Sequence, residues 1–198
     1  MRQLHTLPEH ACCRCALPLD GGSRYCGRCL AEPPAFSHSL IAFHYQFPLD
    51  YLIGRFKFER CLTSAHWLAL QFQHHLRQHK AAANAIVPVP MHWRSLVKRG
   101  FDQTLWLARA ASKTTHVPVR TDILQKIRHS PALHGLSRKD RMLAIRGAYR
   151  AAPVSGLHLA LVDDIVTTTT TSRTLSKLLI RAGAASVQIW ALARTPEH

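Results

Sequence analysis

Two stretches of this 198-residue chain combine residue types and spacings that could do chemistry. Residues 12–34 read CCRCALPLDGGSRYCGRCLAEPP, with Cys12 and Cys15 forming one C-x-x-C pair and Cys26 and Cys29 another. Each pair can present two thiolates from a tight turn, and the intervening Gly21-Gly22 allows a short knuckle. Four thiolates at about 2.3 Å satisfy tetrahedral Zn²⁺ in a closed, structural site. A segment this small cannot bury enough apolar surface to fold without such a staple. A redox C-x-x-C sits at a helix start after a strand, a context neither pair has. Cys13 is a spare thiol that could substitute for Cys12. Cys61 lies alone in an amphipathic segment and reads as a buried small apolar residue.

The second stretch, LVDDIVTTTTTSRTL at 161–175, closes an apolar run with two carboxylates and follows it with five threonines. A helix N-terminus and loop N–H groups can hold a phosphate there, with threonine hydroxyls as further donors. Asp163 and Asp164 can accept hydrogen bonds from vicinal ribose hydroxyls or help to hold Mg²⁺. The alternative is a plain strand terminus followed by sheet-forming threonines. Five threonines and a serine at the start of an amphipathic pattern argue against pure sheet.

The elements that must position these groups alternate. Strands are expected at 39–47, 85–90, 158–164 and 186–193, with an extended segment at 117–127. Helices are expected at 48–58, 62–79, 102–113 and from Ser172 to a Gly183 C-cap, and Ser137 with Asp140 gives a capping-box start for another to about Arg146. Several strands are apolar without alternation, as in a parallel sheet covered on both faces, so the fold class is α/β. In such sheets ligands sit at the carboxyl ends of strands, where Asp163 and Asp164 fall. Glu32-Pro33-Pro34 breaks the chain and divides a knuckle, 1–34, from the main domain, 35–198.

The charge is the other strong signal. Lysine and arginine number 26 against 11 acids, a formal net charge of +15. Such an excess favours a polyanionic partner, because each basic group near a phosphate releases condensed counterions. Arg94, Lys98 and Arg99 flank Trp93 and Phe101 in what reads as a basic loop after the VPVP strand. Cations interleaved with aromatics suit single-stranded DNA, although they would also suit pyrophosphate, or a solvated surface over core rings. Around the capped helix, Arg138 and Arg141 fall toward one side with Lys126, Arg128, Lys139, Arg146 and Arg150 nearby, a second candidate stripe for a phosphate backbone. Arg55 and Lys57 in IGRFKF are weaker candidates. The N-terminus carries no signal-peptide apolar run and no segment has the length of a membrane span, so a cytoplasmic, reducing location is expected.

VDDIVTTTTTSRTLSKLL resembles the phosphoribosyl-pyrophosphate (PRPP) motif of type I phosphoribosyltransferases. That likeness implies that Asp163 and Asp164 serve the ribose and that Thr167, Thr168, Thr169, Thr170 and Thr171 cup its 5-phosphate. The chain also resembles, in order and over nearly its whole length, the ComF family of competence-associated proteins (ComFC or GntX-like). The shared features are the C-x-x-C…CGRCL…PP knuckle, IGRFKF at 53–58, the VPVP strand with RGFDQ at 99–103, GLSRKDR at 135–141 and the VDD loop. The resemblance implies a phosphoribosyltransferase-like parallel sheet flanked by helices, with a small N-terminal four-cysteine zinc knuckle. It also implies a cytoplasmic role in natural transformation, handling single-stranded DNA as it enters the cell.

Three positions depart from the pattern. Thr169 stands where the loop has glycine, and a β-branched residue resists positive φ and blocks close backbone approach. Asp102 replaces an asparagine after RGF, putting an anion where an amide donor would be. Ala144 replaces another asparagine. Each weakens the case for a Mg²⁺-dependent phosphoribosyltransferase acting on a base or nucleotide precursor, which is the alternative to DNA handling. A further alternative is an adaptor docking a DNA-uptake helicase or recombination mediator through the knuckle.

Overall fold

The computed structural model describes residues 6–7, 10–19, 21–59, 61–128 and 147–196. Arg138, Arg141, Ala144 and the capping-box helix lie outside the described residues. The main sheet has four strands in the order β1-β6-β5-β2, formed by β1 (Ser39–His44), β2 (Ala85–Pro88), β5 (His158–Val166) and β6 (Ser186–Arg194). All three neighbouring pairs run parallel. A short antiparallel pair, β3 (Leu124–Lys126) and β4 (Tyr149–Ala151), forms a separate hood.

The continuous apolar runs of β5 and β6 divide by period two between two cores. Leu159, Leu161, Val187 and Ile189 face one side, with Phe36, the helix α6 (Thr170–Arg181) and Cys12, Cys15, Cys26 and Cys29. Ala160, Val162, Trp190 and Leu192 face the other, with α2 (Leu49–Phe58), α3 (Leu62–Gln78) and α5 (Gln103–Thr115). Trp190 is fully buried, and its Nε1 donates to Gln188 Oε1 at 2.9 Å, so its polar edge is satisfied. The knuckle, with its short helix α1 (Gly27–Ala31), therefore packs on the sheet as part of one core.

Several expected bounds shift. The segment 91–103, read as a loop, contains a helix, α4 (Trp93–Arg99). His92 caps its start, its Nδ1 accepting from Arg94 N at 3.2 Å, and Gly100 ends it in the left-handed conformation with φ 82°. Cys61 is not buried but half-exposed at the start of α3, where the Ser64 hydroxyl donates to its Sγ at 3.4 Å. Helix α6 begins two residues before Ser172, and Gly183 follows its end with φ 105°. A Cβ on Gly183 would meet Val154 O at 2.8 Å, so both the turn and the packing call for glycine. No helix among the described residues is long and apolar enough to cross a membrane.

Candidate functional site

Strand β5 outlasts β2. Pro88 pairs with Val162, and β2 ends there while β5 continues to Val166 beside β6. Val89 N still donates to Val162 O at 2.9 Å, and beyond that bond the sheet edge opens where the acid pair begins. Asp163 and Asp164 thus stand in the second half of β5, not beyond it. They line a cleft of about 320 Å³ together with Tyr45, Lys57, Val89, Tyr149, Ile165, Thr167, Thr171 and Thr195.

The acids have different environments. Lys57 Nζ lies 2.6 Å from Asp164 Oδ2, with both side chains mostly buried. Asp163 has no such ion pair among the described residues. Burial, together with the neighbouring Asp164 charge, pushes its carboxyl up to about 8, against a weaker pull from the Asp164 backbone N–H and from Lys57. Burial and the adjacent Asp164 charge thus favour a proton on Asp163. Tyr149, from the hood, is raised above the ordinary phenol value by burial and by Asp163. Lys57, a weak surface candidate on sequence grounds, belongs to the cleft. Tyr45, Tyr149 and Thr195 carry no sequence signal of their own, because their sites are assembled only by the sheet and hood.

The threonine loop keeps the shape a glycine would give it. Thr169 has φ 59° and ψ 2°, the left-handed conformation, and it is the residue before α6. The expectation that a β-branched residue would resist positive φ meets a position where the fold imposes it. Its Oγ1 donates to Thr168 O at 2.6 Å and accepts from Arg173 Nε at 3.2 Å. Such a conformation costs of order 1–3 kcal/mol and persists only where neighbours over-determine it. The Thr168 and Thr170 hydroxyls are 2.9 Å apart. Thr167 and Thr171 line the cleft, while Thr169 and Thr170 are buried. Four of the five threonines thus divide between the cleft wall and the inside of the turn, and Thr168 is half-buried between them.

Asp102 is explained by its local role. It caps α5, its Oδ1 accepting from Leu105 N at 3.0 Å and from the Thr104 hydroxyl at 2.7 Å. Thr104 Oγ1 also lies 2.7 Å from Val89 O, which ties the cap to the cleft wall. An anion is a good cap at a helix N-terminus, so the substitution costs the fold nothing.

The knuckle brings Cys12, Cys15, Cys26 and Cys29 together, all buried, with their sulfurs within 4.8 Å of one another. Four sulfurs at about 2.3 Å from a central ion stand about 3.8 Å apart, and Cys15 and Cys26 Sγ are 3.6 Å apart. The donor set and spacing fit a tetrahedral metal ion. Cys13 is exposed and outside the cluster, so Cys12 and not Cys13 belongs to the four-sulfur set.

The candidate DNA contacts separate by exposure. Trp93 is 61% exposed with the Arg94 guanidinium 5.3 Å from its ring centre. Arg99 stands over Phe58, which is 71% exposed, at 5.8 Å, and Arg55 over Tyr51 at 5.9 Å. Phe101 is half-buried and packs on the buried Phe56 at 5.2 Å, so it supports this surface from below. Lys98 belongs to the same helix, α4. Tyr51 and Phe58 escape the sequence reading, although their i, i+7 spacing with Arg55 between them marks one helical face.

The parallel sheet flanked by helices, the acid pair at its open edge and the threonine turn into α6 define an α/β protein with an added four-cysteine knuckle. Its particular family follows from sequence similarity. The chain is 32% identical over 203 residues to competence protein F of Haemophilus influenzae, covering 98% of this chain and 87% of that protein. It is 34% identical over 190 residues to DNA utilization protein YhgH of Escherichia coli strain K12, and 35% identical to that of Salmonella typhi, covering 93% of this chain and 84% of each relative. The chain belongs to the family of competence protein F and DNA utilization protein YhgH. No protein-family model matches it. Among solved structures, the glutamine PRPP amidotransferase from B. subtilis complexed with ADP and GMP aligns at TM-score 0.44 and 24% identity, covering 63% of this chain and 26% of that one. A purine phosphoribosyltransferase from Pyrococcus horikoshii aligns at TM-score 0.38 and 12% identity, covering 66% and 82%.

Proposed function

We propose that this protein acts in the cytoplasm on single-stranded DNA taken up during natural transformation, and that its cleft binds a phosphorylated ligand of the PRPP type. The observation that carries the DNA reading is the set of three exposed rings, Tyr51, Phe58 and Trp93, each with an arginine over it. Bases stack on exposed rings while cations follow the backbone, a sequence-tolerant mode of binding. The net charge of +15 supplies long-range attraction to such a polyanion. The names of the relatives, competence protein F and DNA utilization protein, point the same way. The knuckle cysteines would hold zinc as a structural ion, since thiolates suit it and the closed site leaves no open position for chemistry.

In the cleft, Asp163 and Asp164 would meet the ribose hydroxyls or Mg²⁺, and Thr167 and Thr171 the phosphate. Magnesium bound there would neutralise phosphate charge. Phosphoribosyl transfer is the second reading, favoured by the glycine-like turn at Thr169. Binding without transfer is the better-supported one, because Lys57 already occupies Asp164 and the turn carries a β-branched residue at φ 59°.

The test is fluorescence anisotropy of a labelled single-stranded oligonucleotide across a salt series, with and without Mg²⁺-PRPP at matched ionic strength. Replacing Arg94 and Arg99 by Ala should flatten the log Kd against log salt slope by about 0.7 for each phosphate no longer neutralised. Replacing Tyr51, Phe58 or Trp93 by Ala should weaken binding about 5- to 100-fold each while leaving that slope unchanged. Binding that none of these variants alters would refute the assigned surface. Pyrophosphate release from PRPP with any base would move the protein to the second reading.

A further inference from the structure

Two arginines connect the cysteine knuckle to the threonine loop. Arg173, on the first turn of α6, donates from Nε to Thr169 Oγ1 at 3.2 Å, from Nη1 to Glu32 O at 2.7 Å and from Nη2 to Cys29 Sγ at 3.7 Å. One guanidinium thus touches the strained residue of the loop, the end of the knuckle and one of its four sulfurs. Arg194, at the end of β6, is fully buried. It donates from Nε to Cys15 O at 3.2 Å and from Nη1 to the carbonyls of Val166, Thr167 and Thr195. The second guanidinium therefore spans from a cysteine-pair turn to the start of the threonine loop.

Charge gives this arrangement its meaning. A divalent ion bound by four thiolates leaves a net charge of −2. Such a cluster is a strong acceptor for Arg173, and a hydrogen bond to it is charge-assisted. Without metal the thiolate acceptor is lost, and the knuckle, too small to fold alone, no longer fixes Cys15 O or Glu32 O. Both arginines would then lose their anchors on the knuckle side. The left-handed conformation of Thr169 depends on such neighbours, because nothing in its own preference supports it.

We propose that the knuckle controls the loop: metal held by Cys12, Cys15, Cys26 and Cys29 fixes Arg173 and Arg194, and these hold Thr167–Thr169 in the shape that takes a phosphorylated ligand. Occupancy of one site then sets the affinity of the other. This inference rests on the reading of the loop as a phosphate site.

Linkage supplies the test, because a coupling between two binding equilibria acts equally in both directions. In the full chain, zinc affinity is measured by equilibrium competition with a chromophoric chelator, with and without saturating PRPP in excess Mg²⁺. Separately, calorimetry measures Mg²⁺-PRPP and Mg²⁺-pyrophosphate binding to the zinc-loaded chain. The expected result is a gain in zinc affinity of about fivefold or more with PRPP, reduced toward one by Arg173→Gln. Chelation of zinc by PRPP itself would act equally on wild type and variant, so the difference isolates the relay. If the zinc-loaded chain binds PRPP while its zinc affinity stays unchanged, the coupling is overturned and the phosphate reading stands. If that chain binds neither PRPP nor pyrophosphate, the phosphate reading falls and takes the coupling with it. Should Arg173→Gln fail to fold, the wild-type measurement decides alone.

Discussion

Lys57 Nζ lies 2.6 Å from Asp164 Oδ2, and that ion pair connects the inner face of α2 to the last third of β5. The neighbouring Phe58, on the same helix, points to solvent beneath Arg99. The C-terminal turn of α2 is therefore shared by the cleft and by the exposed cation–aromatic surface. A ligand that engages Asp164 must either bridge to Lys57 or displace it, and displacement would be felt one residue away at Phe58.

Replacing Lys57 by Met keeps the length of the side chain and removes its charge. Stripping one partner from a largely buried pair costs about 3–5 kcal/mol where the other charge stays unpaired. The melting temperature of Lys57→Met should fall, and Mg²⁺ should restore more of it than it adds to wild type, because the acid pair then lacks its cation. Differential scanning fluorimetry with and without Mg²⁺ reads both effects. An equal Mg²⁺ response in the two proteins would place the ion elsewhere.

Asp163 sets a pH dependence with an unusual sign. Its carboxyl is raised in the folded chain to about 8 from an ordinary value of 3.8, first by burial and next by Asp164. Between those two values the folded state holds more protons than the unfolded one, so stability from this group falls as pH rises. It is fully present below the unfolded value and gone above about 8. Asp163→Asn keeps the shape and removes the titration. Its melting temperature should decline less than that of wild type between pH 5 and pH 8.5 (about a few degrees for a chain of this size). Parallel melting curves for the two proteins would contradict the assignment.

Cys12 and Cys13 are adjacent in sequence and opposite in environment, one buried in the sulfur cluster and the other exposed. Cys13→Ser should leave metal content and melting temperature unchanged. Cys12→Ser should lower bound metal well below one ion per chain and destabilise the packing of the knuckle on Phe36 and α6. Elemental analysis of the two purified variants separates these cases directly.

What could be read in the sequence followed from local spacing. The two C-x-x-C pairs, the apolar β5 and β6 runs and the amphipathic pattern of α6 each depend on near neighbours, and each forms its element or cluster, with element bounds shifted by one or two residues. Helix α4 was hidden because seven residues carry too few turns for an amphipathic pattern, and because its Trp93 and Val97 are exposed. Lys57, Arg173 and Arg194 were out of reach for a different reason. Each is a cation whose partner comes from another layer of the fold, so no spacing rule pairs Lys57 with Asp164 or Arg173 with Cys29. Lys57 drew notice only as part of IGRFKF, and Arg194 carried one signal of its own: it closes a strand that is apolar from Ile189 onward, and a charge there requires buried acceptors.

Thr169 decides how far the loop departs from a working phosphate cup. Thr169→Gly removes the cost of a side chain at φ 59° and gives up the Oγ1 bonds to Thr168 O and Arg173. Relief of order 1–3 kcal/mol against one or two missing hydrogen bonds of about 1 kcal/mol each leaves stability nearly unchanged. Ligand affinity should not balance in this way. Without a Cβ the backbone of the turn can approach a phosphate more closely, and its N–H groups become better donors to it. Thr169→Gly should therefore bind Mg²⁺-PRPP about tenfold more tightly than wild type by calorimetry, an effect of about 1.4 kcal/mol. Tighter binding accompanied by new pyrophosphate release would mean that threonine alone holds the transferase silent. Weaker binding would mean that the Thr169–Arg173 contact matters more to the loop than the space its side chain occupies.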